Sequence, residues 1–296
     1  MKYTTQTLLD RVSVKAAVPI GQTTFTDEQI LDLATQELLS TVLPEILKTR
    51  EDYYLHDSLL TVGNGKELYP LPARAVASKI NDVQRVLSDG YESIPRTTLS
   101  ELSRTFTSNN VLAFYFKGAY LGIHPVITTQ ETLRLSYYLT PSFLVLPSKT
   151  YQITDITTDD GNSKYYAVDR DVDGLFGGEK IDIAKGDGLH QTLYTELEIN
   201  TIDGNRVYLV DNKTDIEVGD YITPVGESSF VQCPKELYPW LEELVTVKIH
   251  EANGDYDAMK LSQSKSDMLK AQILSLLSPR AETEAQIIEN KIWRRY

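Results

Sequence analysis

Residues 230–241, Phe-Val-Gln-Cys-Pro-Lys-Glu-Leu-Tyr-Pro-Trp-Leu, mark the point at which the sequence changes from strand-type to helix-type patterning. After Cys233-Pro234, apolar residues recur at helical spacing until Asn253-Gly254, a pair typical of a helix C-cap. This stripe consists of Leu237, Leu241, Leu244, Val245, Ile249 and Ala252. A second helix is predicted from about Ala258 to Ser278, because Pro279 cannot continue it. Its apolar residues are Leu261, Met268, Leu269, Ile273, Leu276 and Leu277.

Helix-type sequence also lies near the N-terminus. Thr26-Asp27-Glu28-Gln29 has the pattern of a capping box, with Thr26 as the N-cap and Gln29 at N3. Behind this box, apolar residues recur at helical spacing, so residues 27 to about 43 are predicted to form an amphipathic helix. Pro44 is expected to kink or restart that helix.

The sequence between these helical parts is of β type. Residues 53–62 followed by Gly63-Asn64-Gly65 predict the first arm and turn of a hairpin. Two more hairpins are predicted around Ser88-Asp89-Gly90 and Lys117-Gly118, and Leu133–Leu139 is a further strand. From residue 151 to residue 230, short strands alternate with turn signals, a spacing that suggests a small sandwich or barrel.

The predicted fold class is therefore α+β. We expect a helical bundle built from the N- and C-terminal helices, with an inserted antiparallel β-sandwich or barrel region and an extended C-terminal arm. The predicted parts are an N-terminal helical part (1–52), a first β-rich region (53–150), an acidic β insertion (151–232), a C-terminal helix pair (233–279) and a C-terminal docking arm (280–296).

Negative charge is concentrated in the β insertion. Of the 42 acidic residues in the chain, 17 lie between Tyr151 and Phe230, against six Lys or Arg. That stretch therefore carries a formal charge of −11 out of −13 for the whole chain. Such a cluster repels polyanions, and the overall pI near 4.8 argues against nucleic-acid recognition through a basic patch.

Composition also bears on location. No stretch approaches the ~18 apolar residues that a membrane span needs, and the polar N-terminus has no apolar segment typical of a secretory signal. The single cysteine, Cys233, excludes an internal disulfide and fits synthesis in a reducing cytoplasm.

One loop resembles half of a calcium-binding motif. Asp169, Asp171 and Asp173, followed by Gly174, match the ligands at positions 1, 3 and 5 and the glycine at 6 of an EF-hand. Position 12, where a bidentate glutamate is decisive, is Lys180. A solvated acidic turn is therefore favoured over a metal site, and no cofactor is expected.

Catalytic residues are not expected either. Glu196 and Glu198 would share one face of a strand, but two carboxylates on one face do not by themselves make a glycosidase. A glycan hydrolase that uses acids of the β insertion is the least favoured hypothesis, and the chain is predicted not to be an enzyme.

The C-terminal arm is the strongest candidate for a partner-binding site. A segment this short cannot bury several large apolar groups by itself, and Trp and Arg are enriched at binding hot spots. We expect the arm to dock on a partner or a neighbouring subunit, although packing back onto its own domain is the alternative. The candidate residues are Ile287, Ile288, Ile292, Trp293, Arg294 and Arg295.

Several stretches together resemble a known family. They are Pro19-Ile-Gly-Gln-Thr-Thr-Phe-Thr-Asp-Glu-Gln-Ile-Leu31 leading to Arg50-Glu-Asp-Tyr-Tyr54; Leu133-Arg-Leu-Ser-Tyr-Tyr-Leu-Thr-Pro-Ser-Phe-Leu-Val145; Gly219-Asp-Tyr-Ile-Thr-Pro-Val-Gly-Glu-Ser228; Pro234-Lys-Glu-Leu-Tyr-Pro-Trp-Leu241; and Ser278-Pro-Arg-Ala281. In overall style the chain resembles head-to-tail connector (adaptor) proteins of tailed bacteriophages.

This resemblance implies a structural role in the virion. It implies a ring, commonly of twelve subunits, beneath the portal in the neck, with the C-terminal arm reaching the portal protein. Further partners would be other copies of the chain and a tail or next neck protein, and DNA would pass without specific binding. Assembly would take place in the host cytoplasm. The alternative is another tail or baseplate protein whose β domain binds a neighbouring protein or a surface glycan.

Overall fold

The computed structural model describes residues 3–17, 25–101, 112–158, 164–186, 191–211 and 213–277. In these residues the chain forms a helical bundle, a β-sandwich and a closed β-barrel, each with its own apolar core. The mixed α+β class predicted from the sequence is confirmed. The C-terminal arm, and with it all six residues predicted to bind a partner, lies outside the described residues.

The bundle contains helices from both ends of the sequence. They are α1 (Thr5–Lys15), α2 (Asp27–Glu37), α3 (Leu43–Thr49), α4 (Tyr238–Asn253) and α5 (Tyr256–Leu276). One cluster of buried residues joins them, with Leu8 from α1, Leu31 from α2 and Leu241 from α4 all almost fully buried. The helices before and after the β regions therefore share one core, as predicted.

The capping box at the start of α2 is confirmed. The Thr26 hydroxyl accepts a hydrogen bond from the Gln29 N–H at 3.2 Å, and the Gln29 side chain accepts one from the Thr26 N–H at 2.9 Å. The single helix predicted over residues 27–43 is interrupted by a π-helical turn, Leu38–Val42, before α3 begins. Pro44 has no N–H and therefore fits in the first turn of a helix but not in its interior. The π-helical turn ends just before α3, so that Pro44 lies in the first turn of α3.

The sandwich consists of two sheets that share one core. A four-stranded sheet has the order β1-β7-β3-β4, and a three-stranded sheet has the order β2-β6-β5. The strands are β1 (Leu55–Val62), β2 (Leu68–Pro70), β3 (Ala75–Leu87), β4 (Gly90–Ser93), β5 (Ala113–Lys117), β6 (Tyr120–His124) and β7 (Glu131–Leu139). The hairpins predicted at Ser88-Asp89-Gly90 and Lys117-Gly118 are confirmed.

The hairpin predicted at Gly63-Asn64-Gly65 is wrong. The chain turns there, but β1 pairs with β7 in one sheet and β2 pairs with β6 in the other. Gly63 has a φ of +135°, and a Cβ at this position would lie 2.4 Å from the carbonyl oxygen of Thr129. The glycine is therefore required by a close approach to the segment before β7, and not by pairing of the two strands it connects.

The barrel is closed by six strands in the order β10-β13-β12-β11-β14-β9. These strands are β9 (Tyr151–Thr158), β10 (Lys164–Val168), β11 (Lys180–Ala184), β12 (Thr192–Asp203), β13 (Arg206–Leu209) and β14 (Tyr221–Pro224). Closure removes free sheet edges, which resolves the predicted choice between sandwich and barrel for this region. A short parallel pair, β8 (Phe143–Leu144) with β15 (Glu227–Ser228), lies between the barrel and the bundle.

A buried ion pair joins the sandwich to the barrel. Arg74, just before β3, pairs with Asp182 on β11 and also donates to the Thr140 carbonyl at 2.9 Å. Asp182 is 1% exposed and accepts the backbone N–H groups of Glu196 and Gly226, both at 3.0 Å. Burial raises the pKa of the Asp182 carboxyl, and the charge of Arg74 opposes that rise. The joint therefore depends on a complete set of partners around one buried carboxylate.

Candidate interaction surfaces

A small cavity lies where the three modules meet. Its volume is about 40 Å³, room for only a few water molecules. Tyr53, His56 and Gln191 are among its lining residues, and the Gln191 side chain donates to the Tyr53 carbonyl at 2.8 Å. Burial lowers the pKa of His56, which packs edge-on against Tyr137 with ring centroids 5.6 Å apart. The small volume and the close packing of the His56 ring favour a packing defect at the junction over a site for an organic ligand.

The acidic loop between β10 and β11 is held by protein contacts. Asp169 pairs with Arg170 at 3.2 Å and accepts the backbone N–H of Gln152 at 3.1 Å. The Tyr151 hydroxyl donates to the backbone carbonyl of Asp173 at 2.5 Å. Asp169, Asp171 and Asp173 do not form a metal-binding group, and no group of three His, Cys, Asp or Glu elsewhere in the described ranges does so.

Arg170 explains the shape of this loop. It donates to the backbone carbonyls of Pro147 and Ser148 at 3.1 and 2.8 Å, and its guanidinium lies 4.7 Å from the centre of the Tyr151 ring. A cation in the middle of the acidic loop thus fastens it to the segment before β9.

Glu196, one of the two acids considered for catalysis, lies at a bulge in β12. Glu196 has a φ of +57°, and the register with β11 shifts beside it. Its carboxylate pairs with Lys180 at 2.7 Å, while its N–H belongs to the Asp182 joint. Glu196 and Glu198 lie on the same exposed face of β12, on either side of the buried Leu197. Lys180 is opposite Glu198 in the register with β11 and pairs with Glu196, so a cation lies beside both acids.

An exposed surface lies on the side of the four-stranded sheet that faces away from the sandwich core. We call it the outer sheet face and define it by Asp57, Leu59, Gln84, Tyr91 and Arg134. Leu59 and Gln84 lie opposite Arg134 on the two strands that flank β7. Leu59 is 72% exposed and Tyr91 is 58% exposed. Sequence patterning did not identify this surface, since it required the pairing of β1 with β7.

The centre of the outer sheet face is a preorganised arginine. The Arg134 guanidinium lies 4.6 Å from the centre of the Tyr91 ring and pairs with Asp57, whose second oxygen accepts the Ser136 hydroxyl. Burial raises the pKa of Asp57, but the hydrogen bonds from Arg134 and Ser136 outweigh it, and the pKa lies below its ordinary value. Arg and Tyr held in place beside an exposed Leu are the side chains that dominate protein interfaces.

The same sheet ends at β1, which is paired within the described residues only to β7. An edge strand of eight residues presents unpaired backbone groups along one side. It can accept an extended segment of another chain by strand addition. The edge and the outer sheet face are contiguous, because Leu59 belongs to both.

Helix α5 carries apolar residues on two opposite sides. One side packs against α4, with Ser262, Ser266 and Ile273 buried and the Trp240 ring N–H donating to the Ser266 hydroxyl at 3.1 Å. We call the opposite side the outward face of α5 and define it by Asp257, Leu261, Ser264, Lys265 and Met268. Leu261 and Met268, two turns apart, are 60% and 61% exposed.

The barrel surface combines acids with one aromatic patch. Tyr165 on β10 and Tyr208 on β13 are opposite each other, with ring centroids 5.7 Å apart. The Arg206 guanidinium lies 5.0 Å from the centre of the Tyr165 ring. Two acids of the region, Asp182 and Asp220, are buried and structural, so not all of the charge predicted for this region faces solvent.

No protein-family model matches the chain, and no curated protein matches it. Within the part of the chain that the structure describes, none of the helices is both long and apolar enough to cross a membrane.

Proposed function

We propose that this chain is a structural protein that assembles with other proteins, and specifically a head-to-tail adaptor of a tailed bacteriophage. In this role it forms a ring beneath the portal, in the virion neck, and connects the capsid to the tail. The observation that carries the proposal is the outer sheet face, where Arg134 is preorganised between Tyr91 and Asp57 beside the exposed Leu59. The resemblance of the stretches quoted above to adaptor proteins supports the virion neck as the assembly to which the chain belongs.

The charge distribution supports the same proposal. A neck must let DNA pass without retaining it, and each Lys or Arg that contacts a phosphate adds salt-dependent affinity. Every copy in a ring contributes a formal charge of −13, most of it from the barrel region. The summed negative potential disfavours binding of DNA to the wall of a conduit.

Native mass spectrometry of the chain, alone and mixed with portal rings of the same virus, tests this function. We expect a ring, or a ring bound to the portal, for the unaltered chain. Leu59→Asp places an unpaired charge in the contact and should abolish the assembly. Val14→Asp is the matched control, because Val14 on α1 is 81% exposed and lies outside the outer sheet face. If the chain stays monomeric and does not bind portal rings, the proposal is wrong.

The Tyr165–Tyr208 patch favours a second candidate function, that of another tail or baseplate protein whose barrel binds a neighbouring protein or a surface glycan. Aromatic rings with an arginine on a rigid barrel offer stacking and hydrogen-bond donors to such a ligand. A glycan array probed with the full chain distinguishes this candidate. Binding that is lost in Tyr208→Ala and kept in Phe176→Ala, where Phe176 is another exposed ring of the barrel, would favour it.

A further inference from the structure

The outward face of α5 is an uncovered apolar surface at the end of the bundle. Leu269 and Ile273 of the same helix, and Leu277 directly after it, belong to the bundle core or pack against it, so the helix is already anchored without Leu261 and Met268. A surface helix normally presents polar residues on its solvent side. Two large apolar groups two turns apart on that side indicate a contact that the described residues do not supply.

The C-terminal arm follows this helix in the sequence and carries apolar residues that a short segment cannot bury by itself. It contains Ile287, Ile288, Ile292 and Trp293 within seven residues. Helix α5 ends at Leu276, and Pro279, three residues later, disfavours its continuation. The 17 residues of the arm span about 25 Å as a helix and up to about 56 Å when extended. The outward face, from Met268 back to Asp257, is about 16 Å long. The distance back from Leu276, where α5 ends, is about 23 Å to Leu261 and about 28 Å to Asp257. The arm therefore reaches past both apolar residues as a helix and along the whole face when it is extended.

The order of charges fixes the direction. Starting from its C-terminal end, the exposed side of α5 presents first Asp267, then Lys265 and Lys260, and then Asp257 and Asp255. Neither of these lysines forms an ion pair with another described residue. The arm begins with one base, Arg280, continues with its acids and ends with its other bases. The acids are Glu282, Glu284 and Glu289, and the later bases are Lys291, Arg294 and Arg295. Taken in order from the end of α5, the charges of the arm and of the helix are opposite in sign when the arm runs antiparallel.

We propose that, in the free chain, residues 280–296 fold back antiparallel along α5 and cover its outward face, with apolar groups of the arm packed on Leu261 and Met268. This contact concerns the chain alone and does not depend on the adaptor function. The arm then occupies a site on its own domain. A partner that binds the same apolar residues has to displace the arm from this site.

Disulfide trapping in the chain alone tests the proposal. Ser264 lies between Leu261 and Met268 on the outward face, whereas Gln263 is turned about 100° away from Ser264 around the helix. The variants Ser264→Cys/Asn290→Cys and Gln263→Cys/Asn290→Cys keep every apolar residue of both partners. Cys233 does not compete, because its thiol is buried. Under mild oxidation we expect the first pair to link at least about tenfold faster than the second, at a rate independent of protein concentration, as for tethered groups.

The two linking rates distinguish a folded-back arm from a free one. Equal rates for the two pairs, or links that form mainly between two chains, would overturn the proposal. Adding Leu261→Asp and Met268→Asp to the fast pair should reduce its rate to that of the control, and circular dichroism checks that the helices remain. Failure to bind portal rings would leave these rates unchanged, so the two proposals fail separately.

Discussion

Replacing Arg74 by methionine tests the joint between sandwich and barrel most directly. Methionine has a similar length but no charge, so Asp182 would be left as a buried carboxylate with only two backbone N–H donors. Removing one partner of a buried ion pair costs about 3–5 kcal/mol, because the other charge stays buried and uncompensated. We expect a loss of this size in the free energy of unfolding at pH 7, measured by urea denaturation.

The pH dependence of this loss identifies its cause. Burial already raises the pKa of Asp182 beside Arg74, and without the guanidinium the pKa rises further. A carboxyl whose folded-state pKa lies above its unfolded value penalises folding as pH rises towards that folded pKa. The deficit of Arg74→Met should therefore shrink from pH 7 to pH 5, by up to about 2.7 kcal/mol. In Arg74→Met/Asp182→Asn, which has no carboxylate at this position, the pH dependence of the deficit should disappear.

Arg85→Met is the matched control. Arg85 pairs with Glu131 at 2.7 Å, but its side chain is 38% exposed, and an exposed ion pair contributes about 0–1 kcal/mol. A loss under about 1 kcal/mol for Arg74→Met, or a deficit that is the same at pH 5 and pH 7, would refute the reasoning that Asp182 depends on its cation.

Four further expectations concern single sites. Thr26→Ala should cost about 1 kcal/mol in urea denaturation, because it removes the hydroxyl of the capping box; an unchanged midpoint would contradict that role. Gly122→Ala should cost about 1–3 kcal/mol, since its Cβ would lie 2.2 Å from the ring of Tyr115; a neutral result would mean that the ring moves freely. Burial and the hydrogen bond to Glu67 raise the pKa of Tyr115 to about 12, so its contribution to stability is complete below pH 10 and lost as pH rises to 12; urea midpoints should fall less steeply over this range in Tyr115→Phe. Burial raises the pKa of the Cys233 thiol, so a thiol reagent should label it only in urea; rapid labelling of the native chain would show that the bundle core opens.

Local signals predicted much of the secondary structure. The capping box before α2, the Gly254 C-cap after α4 and two of the three hairpin turns were identified, because each depends on residues within a few positions of one another. Helix α1 was missed. Its N-cap is Thr4, whose hydroxyl accepts the Thr7 N–H at 3.2 Å, but its apolar residues are too few to give a clear helical period.

The candidate site was far less predictable than the fold. Asp169, Asp171 and Asp173 were singled out by spacing alone, and an arginine within the same loop fastens the chain instead. Leu59 and Tyr91 gave no functional signal, since an apolar residue in a predicted strand is expected to be buried. Only the assignment of β1 and β4 to one sheet shows that these side chains flank Arg134 on its solvent side.

The sequence by itself determined the α+β class, the N-cap of α2, the C-cap of α4 and the placement of most of the negative charge in one region, because these properties follow from neighbouring residues and composition. The tertiary structure alone decided that β1 joins β7, that the insertion closes into a barrel, and that Arg74 meets Asp182 across 108 positions of sequence. It also decided that Leu261 and Met268 face away from the core that holds Ile273. These outcomes depend on which surfaces meet at long range, and the free energy of such contacts comes from burial and pairing that no local pattern records.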